Sequence, residues 1–203
     1  MGLWKAVSSQ FGKPSGLLGI VAGMIMAKRA SNKERILWAI SCLNLHPNDR
    51  VLEIGFGPGI AIQKMNEIIT KGAIWGIDHS EVMFEQASKR NRAAISEGKV
   101  TLLLGSASSV LLPEVSIDKI LDVNSFQFWE SQVDDLKRIM THLSPGGLIV
   151  LAHQPRNPGS TDADTDRAGR LFADCLVRAG CRNVSIEKKI MKPVSAVCVL
   201  GRL

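Results

Sequence analysis

The sequence predicts an α/β fold built on a seven-stranded, mostly parallel sheet that ends in an antiparallel hairpin. Three observations support this prediction. Short apolar runs alternate with longer helical segments from residue 50 to residue 179, a rhythm typical of βαβ units. A glycine-rich turn directly follows the first of these runs. The last two strand-like runs are joined by only four residues, which is too short for a parallel crossover.

The predicted elements follow in a regular order along the chain. The parallel strands are predicted at RVLEI (50–54), AIWGI (73–77), VTLLL (100–104), IDKILDV (117–123) and LIVLA (148–152). The helices are predicted at 60–70, 81–96, 131–143 and 165–179, and SPGG (144–147) predicts a turn. The closing hairpin pairs NVSIEKKI (183–190) with SAVCVLGRL (195–203).

Length and charge limit the classes of function. A chain of 203 residues suits one α/β domain with a continuous core. The net charge is +6, but residues 1–35 hold six basic residues and one acid, whereas the remainder has 19 basic and 18 acidic residues. A nearly neutral body does not favour nucleic-acid binding, which is expected to need a basic face.

Metal and membrane sites are not predicted. Cys42, Cys175, Cys181 and Cys198 form no C-x-x-C pair and have no histidine at zinc-like spacing, so we expect reduced, buried thiols and no metal. The apolar stretch GLLGIVAGMIMA (16–27) is too short to span a bilayer. No clean small-residue cleavage site follows it, and a cytoplasmic location is expected.

The stretch VLEIGFGPG (51–59) predicts a ligand-binding turn at the carboxyl end of the first strand. Glycines at 55, 57 and 59 allow a sharp turn and a close approach of the ligand to the backbone. The dinucleotide motif G-x-G-x-x-G would need a glycine at position 60, where this chain has Ile60. A nicotinamide oxidoreductase is therefore not favoured, and a purely structural turn is the other alternative.

Two acids narrow the ligand class. Glu53 lies inside the first predicted strand, where a buried carboxylate needs a cationic or hydrogen-bonding partner. Asp78 ends the second strand, 19 residues after Gly59, where an acid can accept both hydroxyls of a ribose. The pair suits a nucleoside that carries an amino acid.

From about residue 34 to its end, the sequence resembles the class I S-adenosylmethionine-dependent methyltransferases, in particular the small-molecule branch that includes ubiquinone and menaquinone methyltransferases. VLEIGFGPG, GIDHS, LLLGSASSVLLP, ILDVNSFQFW and LSPGGLIVL resemble five successive motifs of that family. The resemblance implies a Rossmann-like three-layer sandwich, with S-adenosylmethionine as the cofactor. A non-catalytic nucleoside-binding module is the alternative that lacks turnover.

The resemblance implies that the cofactor-binding residues lie in and after the first four strands. They are Glu53, Gly55, Phe56, Gly57, Gly59, Asp78, His79, Met83, Ser106, Ala107 and Asn124. The glycine loop would surround the methionyl and ribose parts with Glu53 supporting it, and Asp78 would hold the ribose hydroxyls.

The remaining cofactor residues are assigned by the same resemblance. His79 and Met83 would border the adenine, although His79 could equally flank a helix and Met83 could pack in the core. Ser106 and Ala107 would meet the adenine edge, but many relatives have an acid in place of Ser106. Asn124 would lie beside the sulfonium.

The methyl acceptor is predicted to be a small, partly apolar molecule. Relatives that methylate amino groups of DNA or of protein glutamine carry an Asp/Asn-Pro-Pro-aromatic tetrad, which is absent here, where the chain reads DVNS (122–125). Phe126, Phe128 and Trp129 could line an apolar acceptor pocket, although packing against the next helix could also explain at least one of them. An RNA or protein methyltransferase remains the alternative.

Methyl transfer is an in-line displacement that depends mainly on positioning and water exclusion. If the acceptor needs a base, the candidate is His153, which follows the fifth strand on the side where such sheets bind ligands. A hydrogen-bonded loop histidine is the alternative.

The chain is predicted to divide at residue 35. Residues 1–35 are expected to form a helical lid over the site, and residues 36–203 the methyltransferase domain. The alternatives for the first segment are packing at the sheet edge and peripheral contact with an anionic membrane surface.

Overall fold

The computed structural model describes residues 30–112 and 114–203. Seven strands form one sheet in the order β3-β2-β1-β4-β5-β7-β6. The strands are β1 (Arg50–Ile54), β2 (Ala73–Asp78), β3 (Val100–Leu104), β4 (Ile117–Val123), β5 (Leu143–His153), β6 (Arg182–Lys189) and β7 (Ala196–Arg202). This arrangement confirms the predicted sheet.

Six helices and one short 3₁₀ turn connect the strands in the described part of the chain. They are α1 (Ala30–Leu43), α2 (Ile60–Asn66), α3 (Glu81–Arg90), α4 (Arg92–Ser96), the 3₁₀ turn Phe126–Phe128, α5 (Gln132–Met140) and α6 (Asp162–Ala179). Helix α6 begins with a capping box between Thr161 and Asp164 and ends at Gly180 in the left-handed conformation, the usual start and stop signals of a helix.

The sheet is covered by helices on both faces, which confirms the three layers. Alternate strand residues point to opposite faces, so Val51 packs with α1, α2 and α3, whereas Leu52 packs with α5 and α6. The strands consequently read as nearly continuous apolar runs, as expected for a parallel sheet that is buried on both faces.

The closing hairpin is antiparallel, as predicted. β7 pairs antiparallel with β6 and with β5, where Ala152 lies opposite Cys198. The reversed strand β7 therefore lies inside the sheet, and β6 forms its edge.

The helix predicted over 81–96 is broken at Asn91, whose side-chain amide donates to the carbonyls of Ala87 and Gly59. The turn predicted at 144–147 lies within the bounds of β5, but these residues leave the pairing with β4, which resumes at Leu148. Helix α1 spans residue 35, and residues 1–29 of the predicted lid lie outside the described residues.

The described ranges contain neither a membrane-spanning helix nor a cluster of metal-ligating side chains. No helix there is long and apolar enough to cross a membrane. The same residues contain no group of three or more His, Cys, Asp or Glu side chains that could hold a metal ion. The four cysteines are free, and three of them are buried.

Candidate active site

A cavity of about 440 Å³ opens at the carboxyl ends of β1, β2 and β4, which is where open α/β sheets bind ligands. Its volume is within the ordinary range for small-molecule sites. It brings together all the predicted cofactor-binding residues except Gly59, which is the N-cap of α2. The predicted members of its lining are Glu53, Gly55, Phe56, Gly57, Asp78, His79, Met83, Ser106, Ala107, Asn124, Phe128 and Trp129.

The three loop glycines serve different purposes. All three have positive φ, which disfavours other residues. A Cβ on Gly55 would lie 2.2 Å from Ser125 Oγ, and one on Gly59 would lie 2.8 Å from the Cβ of Ala87. A Cβ on Gly57 would meet no atom within 4 Å. The protein's own packing therefore excludes side chains at two of the positions, and only Gly57 faces open space.

Asp78 links the second strand to the glycine loop. Its Oδ2 accepts the Gly57 amide at 2.8 Å, and its Oδ1 accepts the Ser80 amide at 2.9 Å. Burial raises the pKa of Asp78, while the hydrogen bonds from Ser80 and Gly57 oppose the rise. Since a carboxylate oxygen can accept more than one hydrogen bond, the group can still receive ligand hydroxyls in the cavity.

Glu53 supplies a carboxyl group without a full set of partners. The residue is 2% exposed and lines the cavity, and its Oε2 has no hydrogen-bond partner in the described part of the chain. Burial, then the charges of Asp122 and Asp78, raise its pKa well above the ordinary value. An ammonium group in the cavity would supply the missing partner, so this site fits the amino group of S-adenosylmethionine.

Asp122 organises the loop after β4. Its Oδ1 accepts the amides of Ser125 and Phe126 at 3.0 and 2.9 Å, and its Oδ2 accepts the Ser125 hydroxyl. Trp129 also donates a side-chain hydrogen bond to Asp122, whose pKa is raised to about 6 by burial. One fully buried carboxylate thus fixes the backbone and one aromatic side chain of the cavity wall.

Asn124 is committed to the neighbouring strand. Its Nδ2 donates to the Gln154 carbonyl at 2.9 Å, and its Oδ1 accepts the Gln154 amide at 2.8 Å. Asn124 still lines the cavity. Its side-chain amide is already hydrogen-bonded to the residue that follows β5, so the amide links the ends of β4 and β5. Asn124 was predicted to lie beside the sulfonium.

The four residues predicted to lie near the adenine all line the cavity. Met83 and Ala107 are buried, whereas His79 is exposed beside Asp78. The Ser106 hydroxyl lies 2.7 Å from that of Ser108 and 2.8 Å from that of Ser109. A cluster of hydroxyl groups therefore stands where many relatives have an acid.

The structure separates the three predicted acceptor aromatics. Phe128 is 54% exposed and, with Trp129, lines the cavity. Phe126 is fully buried and contacts Trp129 and Phe172 edge-on, with ring centroids 5.1 and 4.7 Å apart. The prediction that Phe126 lines the pocket is therefore corrected: the 3₁₀ turn directs its ring into the core beneath α6.

His153 is not among the residues that line the cavity. Its ring packs edge-on against Phe172 at 5.5 Å, and its Nδ1 has no hydrogen-bond partner in the described part of the chain. Burial, followed by the charges of Arg35 and Arg156, lowers its pKa to about 4. The structure thus does not bring the predicted base to the cavity, because strand alternation turns its side chain toward α6.

Sequence reasoning missed three supporting features. Arg90 Nε donates to the Pro58 carbonyl at 2.7 Å, so α3 holds the glycine loop. Arg35 lines the cavity, and its Nη1 donates to Gln154 Oε1 at 3.0 Å. The third feature is the role of Asp122, for which an acid inside the apolar run ILDV was the available signal. Arg35 gave no such signal, since it lies in a charged stretch.

Comparisons with known proteins agree with this geometry. A family described as a methyltransferase domain matches residues 51–147. The chain is 33% identical over 183 residues to the uncharacterized methyltransferase YdaC of Bacillus subtilis (strain 168), which covers 90% of this chain and 98% of YdaC. A crystal structure of an S-adenosylmethionine-dependent methyltransferase from Aquifex aeolicus has a TM-score of 0.69 at 18% identity and covers 89% of this chain and 97% of that chain.

Proposed function

Because the chain belongs to the class I S-adenosylmethionine-dependent methyltransferases, we propose that it methylates an O, N or C nucleophile of a small, partly apolar molecule, mainly by positioning. The observation that carries this proposal is the lining of the cavity. It combines Glu53 with Phe128 and Trp129, and with Asn32 and Ile36 of α1. We propose that the acceptor binds in this cavity beside the cofactor.

The cofactor, when bound, supplies an electrophilic methyl group on a sulfonium. Glu53 would accept a hydrogen bond from the amino group, and Asp78 would accept the ribose hydroxyls while it keeps the Gly57 amide in place. Phe128 and Trp129 form the apolar wall on the acceptor side. These residues orient the two reactants and exclude water, which are the main requirements of such a displacement.

Two features argue against a polymeric acceptor. The Asp/Asn-Pro-Pro-aromatic tetrad of methyltransferases that act on amino groups of DNA or of protein glutamine is absent, since the chain reads DVNS at 122–125. The charge outside residues 1–35 is 19 basic against 18 acidic residues, which offers little counterion release from a nucleic acid.

No general base is assigned within the cavity. His153, at the end of β5, packs on Phe172, and its lowered pKa makes it a weak base. Transfer mainly by positioning suits an acceptor whose nucleophile is reactive without proton removal by the protein, or whose proton leaves to water. Residues 1–29 are proposed to complete the acceptor wall as a lid next to α1.

The full chain with S-adenosylmethionine tests this proposal. We expect S-adenosylhomocysteine release with pools of small apolar metabolites, quinone-type compounds included, and none with total RNA, DNA or protein. Methyl incorporation into RNA whose binding weakens steeply with salt would contradict the proposed acceptor class. Binding without release in any pool would favour the non-catalytic alternative.

A further inference from the structure

Arg35 is a buried cation without an acidic partner. Its side chain belongs to α1 and is 5% exposed, yet no Asp or Glu of the described residues forms an ion pair with it. Its neighbour Glu34 is paired instead with Lys189 at 3.5 Å. Burial of a cation is costly unless a counter-charge compensates it, so the missing anion requires an explanation.

The guanidinium is held in place by neutral groups. Nη1 donates to Gln154 Oε1 at 3.0 Å, and Nη2 donates to Asn32 Oδ1. Gln154 is fixed in turn, because its Nε2 donates to the Val194 carbonyl at 2.7 Å. The third donor position, Nε, is buried and has no partner in the described part of the chain. The group is therefore oriented but incompletely satisfied.

Arg35 also borders the cavity, together with Asn32 and Ile36. A second cation, Arg156, acts on the same corner, because its charge contributes to lowering the pKa of both Arg35 and His153. Burial is the main reason that the pKa of Arg35 falls to about 9. An anion in this corner would offset the cost of burying the guanidinium charge of Arg35.

We propose that Arg35 binds an oxyanion of a molecule held in the cavity. Planar guanidinium groups suit carboxylate and phosphate oxygens. Two sources of this oxyanion are compatible with the place of Arg35 beside the exits of β4 and β5: the α-carboxylate of the cofactor and an anionic group on the acceptor. The second source rests on the proposed function, since it requires an acceptor in the same cavity.

The first arm of the test compares two ligands by calorimetry on the full chain. S-adenosylhomocysteine carries the carboxylate, and its decarboxylated analogue S-adenosyl-3-thiopropylamine lacks it. If the cofactor is the source, Arg35→Met weakens binding of S-adenosylhomocysteine by about 10- to 100-fold, the range for hydrogen bonds to charged groups, and leaves the analogue unchanged. Arg35→Lys keeps part of the affinity. Arg50→Met is the matched control, because Arg50 pairs with Asp118 instead of lining the cavity.

The second arm detects an acceptor anion. With S-adenosylhomocysteine saturating, inorganic phosphate or succinate is titrated and the melting temperature is followed. If the acceptor is the source, wild type and Arg50→Met show a saturable rise that Arg35→Met lacks.

The proposal is overturned if Arg35→Met changes neither arm while remaining folded, since Arg35 would then only tie α1 to Gln154. This failure is distinguishable from that of the proposed function. Methylation of RNA or protein in place of small molecules would contradict the acceptor class but would leave the first arm intact.

Discussion

Asp78 and Gly57 are joined by a 2.8 Å hydrogen bond from the loop amide to the carboxylate, so the predicted ribose acceptor also sets the shape of the glycine loop. We expect Asp78→Ala to weaken binding of S-adenosylhomocysteine by at least about 1.5 to 3 kcal/mol, the usual loss for hydrogen bonds to a charged acceptor. Calorimetry measures the effect. Asp174→Ala on the exposed side of α6 removes one carboxylate far from the cavity and should bind normally. An unchanged affinity of Asp78→Ala would exclude the ribose role.

Glu53 makes the stability of the ligand-free protein depend on pH. Its folded pKa is raised, so from about pH 4.3, the ordinary glutamate value, up to the raised value, the folded chain keeps a proton that the unfolded chain releases. Stability therefore falls as pH rises through this window. We expect Glu53→Gln to melt at a higher temperature than wild type at pH 7 to 8, with the difference shrinking toward pH 5. Thermal scans at several pH values measure it, and a Glu53→Gln protein less stable at pH 8 would contradict it.

The same carboxyl group couples cofactor binding to proton release. If the ammonium group of S-adenosylmethionine meets Glu53, the ionised carboxylate is favoured and a proton leaves. Calorimetry in buffers of different ionisation enthalpy should show this release in wild type near neutral pH, but not in Glu53→Gln, which should also bind more weakly. Equal binding enthalpies across the buffers in wild type would contradict the contact.

The sheet could be predicted from the sequence because its signals are local. Only four residues lie between the last two runs, which requires a reversal, and this spacing predicted the β6-β7 hairpin. Pro145 and two glycines likewise predicted a turn at 144–147, and these residues leave the pairing with β4 and include the left-handed Gly146, although they lie within β5. The burial of Arg35 could not be predicted, because it depends on how α1 packs on β5. The direction of the His153 side chain depended in the same way on the register of β5 and on Phe172.

His153 is expected to contribute little to turnover. Since its ring packs on Phe172 outside the cavity lining, His153→Asn should keep turnover within a few fold and leave cofactor affinity unchanged. Steady-state rates of S-adenosylhomocysteine formation measure this. A loss of about 100-fold in turnover with normal cofactor affinity is the signature of a general base and would restore that role.

Phe126 and Phe128 form a matched pair of variants. Phe126→Ala empties a fully buried position and should lower the free energy of unfolding by about 3 to 5 kcal/mol. Phe128→Ala truncates a side chain that is 54% exposed, so it should leave stability nearly unchanged and raise the KM for the acceptor. Denaturant unfolding and steady-state kinetics separate the two effects. Equal destabilisation by both changes would contradict the separation of core and wall.

Removal of residues 1–29 tests the proposed lid while keeping α1 whole. The shortened chain retains all the lining residues that the structure describes, including every predicted cofactor-binding residue among them, so its affinity for S-adenosylhomocysteine should stay within a few fold of the full chain. Its acceptor turnover should fall, because water enters the site and one wall is missing. Full activity of the shortened chain would exclude a lid and leave edge packing or membrane contact as the role of this segment.

The contact between Gly55 and Ser125 limits how this enzyme can diversify. A Cβ at position 55 would fall 2.2 Å from the Ser125 hydroxyl oxygen, and Ser125 is held in place because both its amide and its hydroxyl donate to Asp122. The glycine loop at Gly55 and the loop after β4 at Ser125 are thus packed directly against each other. Neither position accepts a larger residue without a compensating change at the other. We expect variation in substrate range among related chains to accumulate at Phe128 and along α1, where the cavity can be reshaped without disturbing this contact.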